Sequence, residues 1–404
     1  MKRIILSVFA AAVTAAWAIP AYAGDVTFSG QYRLRGEYMN NTDADYDDST
    51  TPDESDSWTQ RVRLTANVKA ADDVSAKITV QDTRQWGGGL AALNTDTAGG
   101  NHLDLHEAYL NVTGIFGTPV DFRAGRQELA YGDERLIGAI NWSNNGQAFD
   151  ALKFMYSNDA VNVDVFTSLI TEDALASNDD TSLHGIYATL KQLVPNNTLD
   201  VYFLNLTSGL STANNLYTVG ARLKGAAAGV DYTVELPFQF GDSAAGGDIS
   251  AYAFAAKAGY TLPTPMKIRV GAEFDYGSGD DNALDTDTEA FVNLFPTNHA
   301  HFGIADIAGI NWSNLMAWNV NASVDLNEKL RLFVSYWDFT ANEVAAGADD
   351  DLGSEIDLVA TYKYNNNVTL EAGAARFMPG EGTVGAGAPD DADDWAYVMI
   401  TGNI

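Results

Sequence analysis

The sequence predicts an all-β fold, a transmembrane antiparallel β-barrel of about 18 strands with 16 as the alternative, and three observations predict it. Apolar and polar residues alternate strictly in one stretch after another. The connections between those stretches run alternately long and short. Basic residues fall in the polar phase of the stretches, whereas the long connections are acidic.

The elements follow in order. Lys2 and Arg3, the apolar run from Ile4 to Ile19 and then Pro20-Ala21-Tyr22-Ala23 read as a signal peptide over residues 1–23. That leaves 24–404 as a single barrel domain. In VTFSGQYRLRGEYM, residues 26–39, Val26, Phe28, Tyr32, Leu34 and Tyr38 share one face, and Gln31, Arg33, Arg35 and Glu37 the other. Beyond a polar loop, 58–70 sets Val62, Leu64, Ala66 and Val68 against Arg61, Arg63, Thr65 and Asn67. A tight turn at Ala71-Asp72-Asp73 leads to a third strand from Val74, and the Gly-rich segment 86–101 to a fourth near 102–113. Strands are then predicted near 119–127, 147–157, 160–169, 182–192, 198–207, 215–225, 229–240 and 250–261. The last six lie near 265–276, 313–325, 329–340, 354–364, 367–377 and 394–404.

Short turns such as Ser157-Asn158-Asp159 and Leu262-Pro263-Thr264-Pro265 alternate with long loops, of which 277–312 is the longest. A soluble sandwich has no reason to gather its long connections at one end. A barrel with short periplasmic turns and long extracellular loops does so as a rule. Trp58, Tyr156, Tyr260, Tyr276, Tyr336 and Tyr364, near predicted strand ends, suit interfacial girdles. The phase assigns Leu34, Val62, Val234 and Ile268 to lipid, and their neighbours Arg35, Arg63, Glu235 and Arg269 to the lumen.

Charge narrows the function. The chain has a formal net charge of −31, which argues against nucleic acid as a partner. Segments 40–57, 171–180, 279–290, 341–353 and 379–394 are rich in Asp and Glu and hold no Lys or Arg. Arg33, Arg35, Arg61, Arg63, Arg123, Lys153, Arg222 and Arg269 stand instead in the inward phase of strands. Acids such as Glu107, Asp164, Asp200, Glu235, Glu273, Asp275, Glu355 and Asp357 join them there, so the lumen reads as mildly basic. Without Cys, thiolate metal sites, iron–sulfur clusters and covalently attached haem are excluded. No cofactor and no catalysis are expected, since no G-x-S-x-G or phosphate-loop pattern appears. His299 and His301 in NHAHFG, with Asp306, supply too few ligands for a metal centre. The run Asp43, Asp45, Asp47, Asp48 offers carboxylates to divalent cations, as a solvated loop bridged to lipopolysaccharide would.

Residues 122–154, FRAGRQELAYGDERLIGAINWSNNGQAFDALKF, together with NLFPTNHAHFGIADIAGIN at 293–311, resemble the alginate export family of outer-membrane β-barrels. The pattern GRQEL, YGDERLIG, W, N, G, FDA is long. Its positions here are Gly125, Arg126, Gln127, Glu128, Gly132, Asp133, Glu134, Arg135, Trp142, Asn144 and Asp150. The resemblance implies an 18-stranded barrel in the Gram-negative outer membrane. It implies a channel carrying anionic solutes or polysaccharide through an arginine-containing lumen without catalysis. It also implies that Arg126 and Arg135 lie at a constriction, with Asp133 and Glu134 paired to such arginines. A structural role for the motif is the equal alternative. Two other readings stay open at this point: a general diffusion porin for small solutes, and a barrel sheath or adhesin acting through its acidic loops. Membrane lipid and lipopolysaccharide are the expected surroundings.

Overall fold

Strict alternation makes one face of every strand apolar, and such strands become stable only when their edges are also satisfied. In the computed structural model they close on themselves. It describes residues 25–40, 46, 54–87, 103–172, 180–193, 196–208, 214–243, 246–282 and 284–404. The leader segment 1–23 and the acidic run Asp43, Asp45, Asp47, Asp48 therefore lie outside the described residues.

The first nine strands are β1 (Val26–Met39), β2 (Ser55–Lys69), β3 (Val74–Gln85), β4 (Leu103–Val112), β5 (Val120–Gln127), β6 (Phe149–Ser157), β7 (Val161–Thr171), β8 (Thr181–Leu190) and β9 (Asn197–Ser208). The other nine are β10 (Asn214–Ala227), β11 (Val230–Asp242), β12 (Asp248–Thr261), β13 (Arg269–Gly277), β14 (Leu315–Asp325), β15 (Leu330–Ala341), β16 (Asp351–Lys363), β17 (Val368–Pro379) and β18 (Asp393–Asn403). Each pairs antiparallel with its sequence neighbours in one 18-stranded sheet. β18 returns to β1 in register from Gln31↔Asn403 to Met39↔Trp395. Gly30 and Ile404 exchange both backbone hydrogen bonds at 2.8 Å, which extends this seam. Closure gives every strand a partner on both sides, so the sheet has no edge strand, the condition for crossing lipid with strands. No helix among the described residues is long and apolar enough to cross a membrane.

Opposed residues on neighbouring strands share a face, so register and exposure together fix the phase. Val234 is 36% exposed and its neighbour Glu235 only 5%. Val62, opposite outward Tyr32, and Leu34, opposite Ile400, fit the same phase. The expectation at 265–276 needs correction. β13 starts only at Arg269, because Pro265 has no N–H to give and Lys267 has φ +45°. Lys267 and Ile268 therefore belong to the turn, closed by Leu262 N–H donating to the Ile268 carbonyl at 2.8 Å. The tightest connection, Ala228-Gly229 between β10 and β11, has positive φ at both residues (53° and 85°), which suits the twist of a two-residue hairpin.

The phase sets an expected result. Val234→Arg should destabilise the barrel by about 2–4 kcal/mol in a lipid-reconstituted unfolding titration, because it puts a charge among acyl chains. A cost near zero would move Val234 off the lipid face.

Candidate functional site: two loops folded into the lumen

The inward faces converge on two connections, the first inner loop (128–148, after β5) and the second inner loop (278–314, after β13). The two loops are stitched together inside the barrel. Ile137 and Phe295 form a parallel bridge, with Gly138 N–H donating to the Phe295 carbonyl and Phe295 N–H to that of Leu136, both at 2.8 Å. Glu134 caps the junction: its Oε2 accepts from the Thr297 hydroxyl at 2.6 Å and from Ala139 N–H at 3.0 Å. Gly138 has no room for a side chain, since a Cβ there would stand 2.2 Å from Thr297 Oγ1.

The first inner loop is then fastened to wall after wall. Tyr131 donates to Asp164 on β7 at 3.0 Å and stacks on Tyr187, ring centroids 4.6 Å apart. Burial, and then the carboxylate of Asp164, push the Tyr131 phenol up, so it remains a donor. Asp133 is paired with Arg222 on β10, and with Lys257 on β12 at 2.6 Å. Burial alone would raise its carboxyl, but Lys257, with Arg222 and Lys224, holds it down at about 2. Arg222 also binds Asp200 at 2.9 Å. Arg135, only 3% exposed as a side chain, is paired with Glu273 and, at 2.9 Å, with Asp275, both on β13. Its guanidinium also lies over the rings of Trp312, at 5.1 Å, and Phe302, at 5.7 Å, from the second inner loop.

On the opposite side the loop meets arginines with its backbone. Arg33 donates to the Asn141 carbonyl at 2.8 Å and to Asn144 Oδ1 at 2.7 Å. Arg61 donates to the carbonyls of Asn141 and Ser143 at 3.1 and 3.0 Å, and Arg35 to that of Trp142 at 2.9 Å. Arg63 reaches Asn141 Oδ1 at 2.9 Å and Gln81 at 2.7 Å. Arg35 pairs with Glu37 at 2.8 Å and Arg63 with Glu128 at 3.5 Å. Arg33 and Arg61 stand directly opposite each other, 4% and 3% exposed, and no carboxylate among the described residues lies within ion-pair distance of either. Trp142 is held between Arg35, at 4.2 Å, and the ring of His299, stacked at 3.9 Å.

Several expected placements change. Arg126 is opposed to Ala108 and Asp150, in phase with outward Ala124 and Leu152, and meets Asp150 at 3.3 Å, while its side chain also lines the cavity beside Gln81, His106 and Asn145. Of the two arginines, Arg135 is the one that reaches the inward acids of β13. Asp133 and Glu134 pair with neither of those two arginines, because the loop turn between them carries Asp133 toward β10 and β12 and Glu134 toward Thr297. Arg123 packs on Tyr109 at 4.3 Å, Lys153 meets Asp164 at 3.2 Å, and Arg269 binds Asp231 through two nitrogens at 2.6 and 3.0 Å. A register shift between Thr79 and Val80 turns both His106 and Glu107 inward, which brings His106 within 2.8 Å of Glu128. His299 is bound to Asp306 at 2.8 Å, whereas His301 donates from Nε2 to the Asp133 carbonyl at 2.8 Å. Burial, then Arg135, push the His301 imidazole far down, so it stays neutral.

Sequence reading missed the role of Glu355. Its Oε1 accepts from Ile304 and Ala305 N–H at 2.7 and 3.0 Å, pinning the second inner loop to β16. The signal was present: Glu273/Asp275 and Glu355/Asp357 are two pairs of inward acids at i, i+2, more carboxylate than a solvated wall needs. What remains open around the loops includes a 290 Å³ cavity beside Lys257, Arg269, His299 and Asp357, and a 420 Å³ cavity beside Gln81, His106 and Asn145.

A family model described as alginate export matches residues 25–397. No curated protein matches the sequence. Among solved structures, the BenF-like porin from Pseudomonas fluorescens Pf-5 has a TM-score of 0.64 at 11% identity, covering 95% of this chain and 100% of that one. Pseudomonas aeruginosa OpdK, solved with vanillate, gives 0.64 at 12% identity over 93% of this chain and 98% of its own. Pseudomonas aeruginosa OccK5 (OpdH) gives 0.62 at 16% identity, with coverages of 93% and 98%. These likenesses establish the architecture alone. Together with the match along nearly the whole chain they identify the protein: it belongs to the alginate export family, and is a channel-type β-barrel of the Gram-negative outer membrane.

Proposed function

We propose that the barrel passes anionic solutes, or an anionic polysaccharide, along the β1–β2 wall, without catalysis. The observation that carries this reading is the Arg33–Arg61 pair. Like charges set directly opposite each other on a sheet destabilise it, and here loop carbonyls, Asn144 and, on β1 itself, Gln31 offset them in place of a carboxylate at ion-pair distance. A wall built that way attracts carboxylates. Elsewhere the lumen is close to neutral, because Arg135, Arg222, Lys153, Lys257 and Arg269 each have a carboxylate partner. That balance supports the second reading, a general porin for small solutes. The acidic outer loops would meet lipopolysaccharide through divalent cations.

Ion selectivity in planar bilayers separates the readings. Anion preference is expected despite the net charge of −31, since unscreened charges at a narrow point outweigh distant loop carboxylates. Arg33→Gln with Arg61→Gln should reduce or invert it, most visibly at low salt. Cation preference in the native channel, unchanged in the double variant, would count against an anionic substrate.

A further inference from the structure

Around the second inner loop, inward cations come with their own carboxylates. Arg135 has Glu273 and Asp275, Lys257 has Asp133, and Arg269 has Asp231. Two acids on β16 have no such partner. Glu355 and Asp357 are both 0% exposed, and their carboxyl groups meet side by side. No Lys or Arg among the described residues stands at ion-pair distance from either, and Glu355 Oε2 and Asp357 Oδ1 accept no hydrogen bond there. A carboxylate taken out of water needs a counter-charge or a full set of donors.

The 290 Å³ cavity opens against Asp357. Its floor is a patch of wall in register, Asn321 opposite Ser335 and Ser335 opposite Asp357. Its roof is the stretch of the second inner loop that carries His299, His301 and Ile304. Among the lining side chains, two hold a buried polar atom without a partner: Asp357 Oδ1 and His301 Nδ1. His301 is 3% exposed and spends its Nε2–H on the Asp133 carbonyl, so Nδ1 of the neutral ring keeps a lone pair. Both unmet atoms are acceptors. Lys257 and Arg269 line the part of the cavity on β12 and β13, with their charges already met. What is missing beside β16 is a donor and a positive charge.

We propose that this cavity binds a small polar solute bearing a protonated primary amine. The ammonium sits against the Glu355–Asp357 pair, and a donor of the same solute serves His301 Nδ1. Charge-assisted hydrogen bonds to buried carboxylates are the strong kind. The Ser335 hydroxyl, which donates to Asp357 at 2.8 Å, keeps lone pairs for a further N–H. A bare metal ion suits the cavity less well, because no three carboxylate or imidazole ligand atoms gather here within 4.8 Å. A proton shared by the two carboxyl groups would satisfy Asp357 and leave His301 unmet. The site lies on a different wall from Arg33 and Arg61 and does not depend on them.

Equilibrium dialysis of the purified full chain against radiolabelled ethanolamine at neutral pH should show saturable binding. Choline, which keeps the charge and lacks N–H donors, should compete at least about tenfold less well than unlabelled ethanolamine. Asp357→Asn and Glu355→Gln, each close to isosteric, should each weaken binding about tenfold while keeping heat-modifiable gel migration, the sign of an intact barrel. Absence of saturable binding to the native protein would overturn the proposal, and so would undiminished binding in both variants. Choline competing as well as ethanolamine would overturn it without any variant. Calcium chloride displacing ethanolamine where choline does not would show a metal site in its place.

Discussion

Arg135→Met should release both inner loops from the wall while the barrel itself persists. The guanidinium neutralises Glu273 and Asp275, which are buried on β13 with no other cation in ion-pair contact among the described residues. Breaking a buried pair by removing one partner costs about 3–5 kcal/mol, since the stranded charge remains in a poor solvent. Here two carboxylates are stranded, and the contacts to Trp312 and Phe302 are lost as well. The strand ladders are untouched, so far-ultraviolet circular dichroism should be unchanged. Proteolysis within 128–148 should become rapid, and single-channel conductance should rise. Adding Glu273→Gln and Asp275→Asn should restore part of the protection. Native conductance and native protease resistance in Arg135→Met would show that the loops are held without it.

The second large effect is expected at Asp133, the carboxylate shared by Arg222 and Lys257. Asp133→Asn leaves Lys257 without a carboxylate and Arg222 with Asp200 alone, at a cost below the about 3–5 kcal/mol of a fully buried pair because Lys257 is partly exposed. The native protein should show the matching pH dependence. Lys257 and Arg222 hold the Asp133 carboxyl down at about 2, below the ordinary aspartate range, so its stabilisation is complete at neutral pH. It fades as the pH drops below about 4 and is lost as the carboxyl protonates near 2. Loop protection measured by hydrogen exchange should fall across that window in the native protein and stay flat in Asp133→Asn. Parallel acid profiles for the two would remove Asp133 from the latch.

The barrel was legible in the sequence because its physics is local. Alternation such as Val62, Arg63, Leu64 sets the face of each residue without knowledge of its partners. The site was legible only in part, because side-chain pairing inside a lumen is not local. Arg135 and Glu273 are far apart in sequence, and nothing in GDERLIG says which strand that arginine reaches. Arg126 was misplaced for a related reason. It lies in a motif rich in inward residues, yet β5 keeps its alternation to Gln127, and that alternation puts Arg126 in the outward phase before the loop begins. The start of β13 failed where proline chemistry outweighed an otherwise regular pattern.

The seam between β1 and β18 bears on how the protein comes to exist. Seventeen of the pairings join strands that are neighbours in sequence, so hairpins can form and add in succession. The remaining one joins residues 26–39 to 393–403. Its contacts span almost the whole chain, and ordering must proceed around the entire circumference before they offset its entropy. Until then the sheet exposes two raw edges, which other unclosed chains can capture. Assembly is thus a race between sealing and aggregation. Weakening the Gly30–Ile404 end of the seam should slow folding far more than it hastens unfolding of the finished barrel.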